Sequence, residues 1–376
     1  MVPPGLPTPC PKRRRPLRWL RGLAGRFDPW GLVALLLAGS LLWVVGAMPL
    51  QQTVEGTVKS SSISFDLRQP PQGAAATGFL AESVRDLRIS GLGDETPVFF
   101  RLKGELVELE PGQRVDFQPL ASGSFALKLQ LPAGTRVENL HTEGNPLSRT
   151  GSRELVMDLR SPTGPKPGPS TPVELIITPP AAAEHSAEGV APGELVEPIS
   201  GLEAVRSGAA GSERRLPTPE GTFSLLLRGD ARLRLGLLDP AVVFEPNLPV
   251  NHVMFSTVKP SAFDQQPLLL SSVRQATLHY GRGAPLELRN NQFLIIDPPG
   301  IQELMDLRMV GNGHELIVSI SGQTHRLTTG LSPKRPSTVL NGTLLSRQLS
   351  PEQITNFYAV LAGVIGSMVV VFFRAY

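Results

Sequence analysis

Six histidines, at positions 141, 185, 252, 279, 314 and 325, and one cysteine, Cys10, are the residues of this sequence best suited to hold a transition metal or to act as base and nucleophile. Their spacing does not assemble such a site. No HExxH occurs. His314 and His325 are an odd number of residues apart, so on one continuous strand they would point to opposite faces. There is no GxSxG, no Walker A sequence and no GxGxxG after a strand. Carboxylates are plentiful, as in Asp94-Glu95 and in Glu105, Glu108 and Glu110. The last three recur every second or third residue, the spacing of a solvated strand face. A carboxylate pair for glycoside hydrolysis is the one catalytic arrangement that spacing alone does not exclude. The expectation is therefore a protein with no catalytic residue, no metal and no cofactor. Asn341-Gly342-Thr343 forms a glycosylation sequon, which has meaning only in a secretory pathway.

The charge balance narrows the partners. The chain is 376 residues long with a net charge of +3. Lys12, Arg13, Arg14, Arg15, Arg18, Arg21 and Arg26 precede Asp28, so the first 30 residues carry +6. Arg374 adds one more, which leaves the stretch between at −4. The basic character belongs to the tail, and nucleic acid is not an expected partner of the body. The seven basic residues are read as a topology determinant, with contact to anionic lipid as the functional alternative.

No charged residue lies between Asp28 and Glu55. The run 30–50 is long enough to cross a hydrocarbon core of about 30 Å at about 1.5 Å rise per residue. It is longer than the usual apolar part of a signal peptide, so it is expected to remain as an anchor. A second apolar run, FYAVLAGVIGSMVVVFF at 357–373, is followed by Arg374. In it Ala359, Gly363 and Ser367 recur every four residues, with Ala362 and Gly366 beside them, a pattern that lets helices approach closely in lipid.

Between these runs the sequence reads as strands. FALKLQL at 125–131 alternates over seven residues, and VELIIT at 173–178 sits between prolines. Alternation recurs in TVEGTVKSSSISFDL (53–67), VRDLRIS (84–90), the stretch 99–110, FSLLLR from Phe223, ARLRLGLL from Ala231, HVMFSTV from His252 and ATLHY from Ala276. PLELRNNQFLIID from Pro285 reads as a hairpin turning at Asn290-Asn291. MDLRMVGNGHELIVSIS from Met305 reads as another, turning at Gly311–Gly313. Thirty-seven prolines and 37 glycines supply the turns. The stretch 181–217, rich in Pro, Ala, Gly, Ser and Glu, lacks a sustained period and is expected to be a linker. TVKSSSISFD (57–66) echoes TVKPSAFDQ (257–265), and VRDLRISG (84–91) echoes VRQATLHYG (273–281). Duplication or chance likeness between β-rich stretches would each explain this.

The expected organisation is an all-β, sandwich-like extracytoplasmic region of two lobes flanked by two transmembrane α-helices. The expected parts are a basic cytoplasmic tail (1–29), a first span (30–50), a first lobe (51–180), the linker (181–217) and a second lobe (218–335). A juxtamembrane segment (336–355), a second span (356–373) and a short cytoplasmic end (374–376) follow. The composition points to a bacterial inner membrane with both termini in the cytoplasm. The lipid bilayer and a membrane or envelope protein are the expected partners. The expected role is non-enzymatic: a binding or scaffold component of an envelope complex. A sensor or effector acting through helix association, and a carbohydrate-active enzyme, are the alternatives.

Overall fold

The computed structural model describes residues 37, 39–41, 49–68, 78–92, 97–120, 123–144, 153–161, 172–179, 201–208, 212–238, 242–244, 248–259, 268–309, 315–343, 345–346, 349 and 351–374. They fall into two units. Residues 49–342 form the β body, and 343–376 belong with 1–48 to the other unit.

The expectation of an all-β body holds: large antiparallel sheets dominate it. The alternating segments become strands because every second side chain is apolar and buried. Phe125–Gln130 buries Phe125, Leu127 and Leu129 and leaves the residues between them partly exposed. The strand Gly78–Gly91 organises half of the body. Its first part lies between Phe125–Gln130 and Val242–Phe244. Its second part lies between Arg114–Pro119 and Ala231–Leu237. A register shift between Ala81 and Val84 marks the bend where partners change. From Phe125–Gln130 the sheet continues through Val173–Thr178 to Phe223–Leu227. From Arg114–Pro119 it continues through Leu202–Ser207 to Glu213–Leu216. From Ala231–Leu237 it passes through Arg153–Arg160, Arg136–Gly144 and Ser62–Leu67 to Leu248–Met254.

A second ladder runs Leu286–Leu288, Val273–Tyr280, Gln52–Ser60, Leu316–Thr324, Pro299–Met309. Leu248 and Pro249 pair with its last strand and join the two ladders. Phe293–Ile296, Arg326–Ser332 and Arg335–Asn341 form a small separate sheet. One continuous cluster of buried side chains includes Phe65, Leu87 and Phe117 from the first ladder and Val58, Leu278 and Val318 from the second.

Several expectations change. The division into lobes at 51–180 and 218–335 does not hold. Gln52–Ser60 sits centrally in the second ladder, whereas Phe223–Leu227, Ala231–Leu237 and Leu248–Met254 pair with strands of the first. Hydrophobic period fixes which face of a strand is buried, not its partner, so pairing across the expected boundary was invisible. The segment 181–217 is not a linker throughout: Leu202–Ser207 and Glu213–Leu216 are strands. Leu202 and Ala204 face the core, but alanine contributes little hydrophobic signal. Residues 181–200 lie outside the described residues. The juxtamembrane segment from 336 begins inside the strand Arg335–Asn341. TVEGTVKSSSISFDL is two strands broken at Ser61.

The stretch 99–110 folds as the hairpin Val98–Leu102/Glu105–Leu109. Lys103 and Gly104 both have positive φ, as a two-residue type I′ turn demands. PLELRNNQFLIID turns where expected, with Asn291 at φ 64°, but its two strands enter different sheets. Met305 to Ser321 pairs as a hairpin, and its expected turn at Gly311–Gly313 lies outside the described residues. The echo is not one of position. Thr57 lies between two sheet partners, whereas Thr257 lies in the two-stranded ribbon Ser256–Lys259/Leu268–Ser271.

Outside the body, residues 37 and 39–41 are helical, and the rest of 30–48 lies outside the described residues. Pro351–Arg374 is a helix of 24 residues with Glu352 in its first turn, where a negative charge suits the helix dipole. Among the described residues no helix is long and apolar enough to cross a membrane.

Candidate functional site

Two features of the body concentrate polar side chains. The first is the outer face of the first ladder. Antiparallel register sets Arg88 opposite Asp116, Arg232 opposite Asp158 and Arg136 opposite Asp66. Each pair closes into an ion pair. Arg88 Nε donates to Asp116 at 2.8 Å, and Arg136 Nε donates to Asp66 at 2.7 Å. Arg232 donates to both Asp158 oxygens, at 2.6 and 2.9 Å. Arg160 joins Glu138 at 2.6 Å, and Arg234 joins Glu143 at 2.8 Å and Glu154 at 3.6 Å. The hydrogen bond that Arg232 donates to Asp158 raises the pKa of Arg232 against the opposing effect of burial. Burial opposes ionisation of Glu143, but the bonds from His141 and Arg234 prevail and hold its pKa below the usual value.

Two histidines belong to this face. His141 Nε2 is 3.0 Å from Glu143, and His252 Nδ1 is 3.0 Å from Asp66. Both stand at bulges on the two strands that flank Ser62–Leu67. Asn139, two residues before His141, has φ 55°, and His252 itself has φ 50°. The bulges turn these side chains along the sheet toward the carboxylates. Chemically, this face holds its charges paired. A general acid needs a carboxyl group pushed up in pKa, and Glu143 is pushed down. Among the described residues, no three His, Cys, Asp or Glu converge as a metal would require. His279 and His325 lie on the second ladder side of the body; His185 and His314 lie outside the described residues. Asp94 and Glu95 also lie outside them.

The second feature is the point where the chain enters and leaves the body. Leu50 N–H donates to Gly342 O at 3.0 Å, and Gly342 N–H donates to His325 O at 2.7 Å. The Tyr280 hydroxyl donates to the same His325 carbonyl at 3.1 Å. Burial pushes the Tyr280 pKa up to about 12. Only glycine fits at 342: a Cβ there would stand 2.1 Å from Leu50 O and 2.8 Å from the Tyr280 hydroxyl. The first and last residues of the body are thus one clamp. No motif announces it, because its members are scattered from 50 to 342.

Of the residues singled out in the sequence, Lys12, Arg13, Arg14, Arg15, Arg18, Arg21 and Arg26 lie outside the described residues. Ala359, Ala362, Gly363, Gly366 and Ser367 all lie in the helix Pro351–Arg374 and are exposed. At 3.6 residues per turn they share an arc of about 140°. A Cβ added at Gly363 or Gly366 would meet nothing within 4 Å.

Comparison of the chain with protein-family models, with curated proteins and with solved structures finds no match.

Proposed function

We propose that the chain is a two-pass membrane protein whose β body stands outside the bilayer as a non-enzymatic binding or scaffold component of a cell-envelope complex. The observation that carries this reading is the Leu50–Gly342 clamp. The apolar run 30–50 ends at the residue that enters the body. The run 357–373 begins 15 residues after the residue that leaves it. Hydrogen bonding of those two residues brings the two ends of the body's own chain together, as a domain inserted between two anchoring segments has them. Support also comes from the helix Pro351–Arg374. Its Ala359, Gly363 and Ser367 recur every four residues on one exposed arc, the spacing that lets helices approach closely in lipid. Val360 and Val370 on it are more than half exposed. The seven basic residues before the first run then stay in the cytoplasm, and so large a loop translocates regardless of its own charge.

A scaffold role fits a face whose charges are mutually neutralised. Such a face offers rigidity and fixed hydrogen-bonding directions rather than a reactive group. Membranes washed in alkaline carbonate should retain the intact chain. A membrane-impermeant thiol reagent should label Lys128→Cys from outside, but not native Cys10. Release of the chain by carbonate, or equal labelling at both positions, contradicts the proposal.

A further inference from the structure

Among the described residues, three buried side-chain polar atoms have no hydrogen-bond partner. Two are the hydroxyls of Thr135 and Thr142, which do not titrate. The third, Nδ1 of His325, belongs to an imidazole, and that residue is part of the clamp. His325 stands at the junction between the strands Leu316–Thr324 and Arg326–Ser332. Its carbonyl is committed twice, to the Gly342 N–H at 2.7 Å and to the Tyr280 hydroxyl at 3.1 Å. Its other ring nitrogen, Nε2, meets the Gln51 side-chain amide at 3.5 Å in an exposed contact. His141 and His252 each reach a carboxylate at 3.0 Å, whereas His325 reaches none among the described residues.

We infer that the clamp is a pH-sensitive latch with His325 as its sensor: uptake of a proton by the ring loosens the closure between Leu50 and Gly342. A neutral imidazole carries one proton, which can sit at the exposed edge and leave Nδ1 an uncharged lone pair. The imidazolium carries an N–H on both nitrogens and a positive charge. Its Nδ1–H then faces a place with no acceptor, and no paired carboxylate offsets the charge. Relief requires the ring to leave its place or water to enter it. Either parts the chain's entry from its exit, because residue 325 touches both: its ring meets Gln51 and its carbonyl holds Gly342. The opened clamp takes up the proton and the closed clamp resists it. Closure is therefore whole above the ordinary imidazole value of about 6.5 and is lost as the pH falls below it. The titratable groups nearest on the surrounding elements are Glu55, His279, Tyr280, Arg282, Asp297 and Arg326; Leu316–Thr324 carries none. Of these, His279 is the other imidazole, exposed one residue before Tyr280. The inference rests on the clamp and not on the membrane reading.

The test reads hydrogen exchange of the full chain in detergent at about pH 7.5 and about pH 5.5, with rates corrected for the intrinsic pH dependence of exchange. Protection of the Leu50 and Gly342 amides should fall about threefold to tenfold, the range open to one imidazole taken about one unit below its ordinary value. Protection in Phe125–Gln130 should not change. His325→Gln should remove the fall, and His279→Gln should keep it. Protection that holds at the lower pH in the unsubstituted chain overturns the inference, as does an equal fall in His325→Gln. If His325→Gln does not fold, the unsubstituted chain labelled with carbon-13 histidine decides the question. The His325 ring signal should change over the same pH step in which the two amides lose protection. A ring that titrates while both amides stay protected overturns the latch. None of these readouts depends on whether carbonate releases the chain from membranes, so the two proposals fail separately.

Discussion

Ser60 and Ser272 stand 212 residues apart in sequence, and the hydroxyl of Ser60 donates to that of Ser272 across 2.8 Å in the interior of the body. Ser272 in turn donates to the carbonyl of Ser62 at 2.6 Å, and the Ser61 N–H donates to the carbonyl of Ser272 at 2.9 Å. Here the chain leaves the second ladder for the first. The break in the strand frees backbone groups that a continuous ladder would have paired, and serine hydroxyls satisfy them without adding bulk.

Ser272→Ala removes a donor and an acceptor from a site with no access to water. The expected cost is about 1–3 kcal/mol, read from urea unfolding of the full chain in detergent. Ser60→Ala should cost a similar amount. The double variant should cost clearly less than the sum, because both substitutions empty the same network.

Gly342→Ala drives a methyl group into Leu50 O and the Tyr280 hydroxyl, both held in place by the clamp. Relief requires the clamp to open, at a cost of about 1–3 kcal/mol. Hydrogen exchange at the Leu50 amide should accelerate about tenfold or more, with exchange in Phe125–Gln130 unchanged.

Asp158 is almost fully covered, at 8 % side-chain exposure, and receives both donors of Arg232. Asp158→Ala should cost about 2 kcal/mol, because Arg232 keeps its partial burial without its partner. Glu105→Ala, which removes the exposed pair with Arg214, should cost less than about 0.5 kcal/mol. Equal losses in thermal unfolding would contradict the ranking.

Tyr280 and Glu143 predict opposite ends of the pH profile. The neutral phenol of Tyr280 is favoured in the folded chain, with its pKa moved from 10.0 to about 12. Its contribution is whole below 10 and is lost as the pH rises toward 12; Tyr280→Phe should flatten that alkaline limb. Glu143 is depressed from 4.5, so its contribution is whole above that value and is lost as the pH falls through the lower folded value. Glu143→Gln should therefore soften acid unfolding below about pH 4.5, with no change at pH 7 in the pH slope.

The strands were legible wherever one face is buried along their length, as in Phe125–Gln130 and in the pairing of Met309 with Leu316. Leu202–Ser207 escaped because a small alanine at 204 and flanking Pro- and Gly-rich sequence mute the period. Strand partnership escaped more generally. Asp66 finds His252 at a separation of 186 residues and Arg136 at 70, and only the fold brings them to one carboxylate. The clamp was unreadable for the same reason. Gly342 looked like part of a sequon, whereas its lack of a Cβ is what lets Leu50 approach.

Closure of the body at Leu50 and Gly342 also sets how it would respond to mechanical load. Tension between the two flanking segments falls first on one backbone hydrogen bond at the margin of the fold, then on the next, Gly342 to His325. Ladders peeled one rung at a time yield at low force, whereas ladders sheared along their length resist together. Pulling the two flanking segments apart would therefore unzip this body from its clamp, and its endurance depends on those two hydrogen bonds.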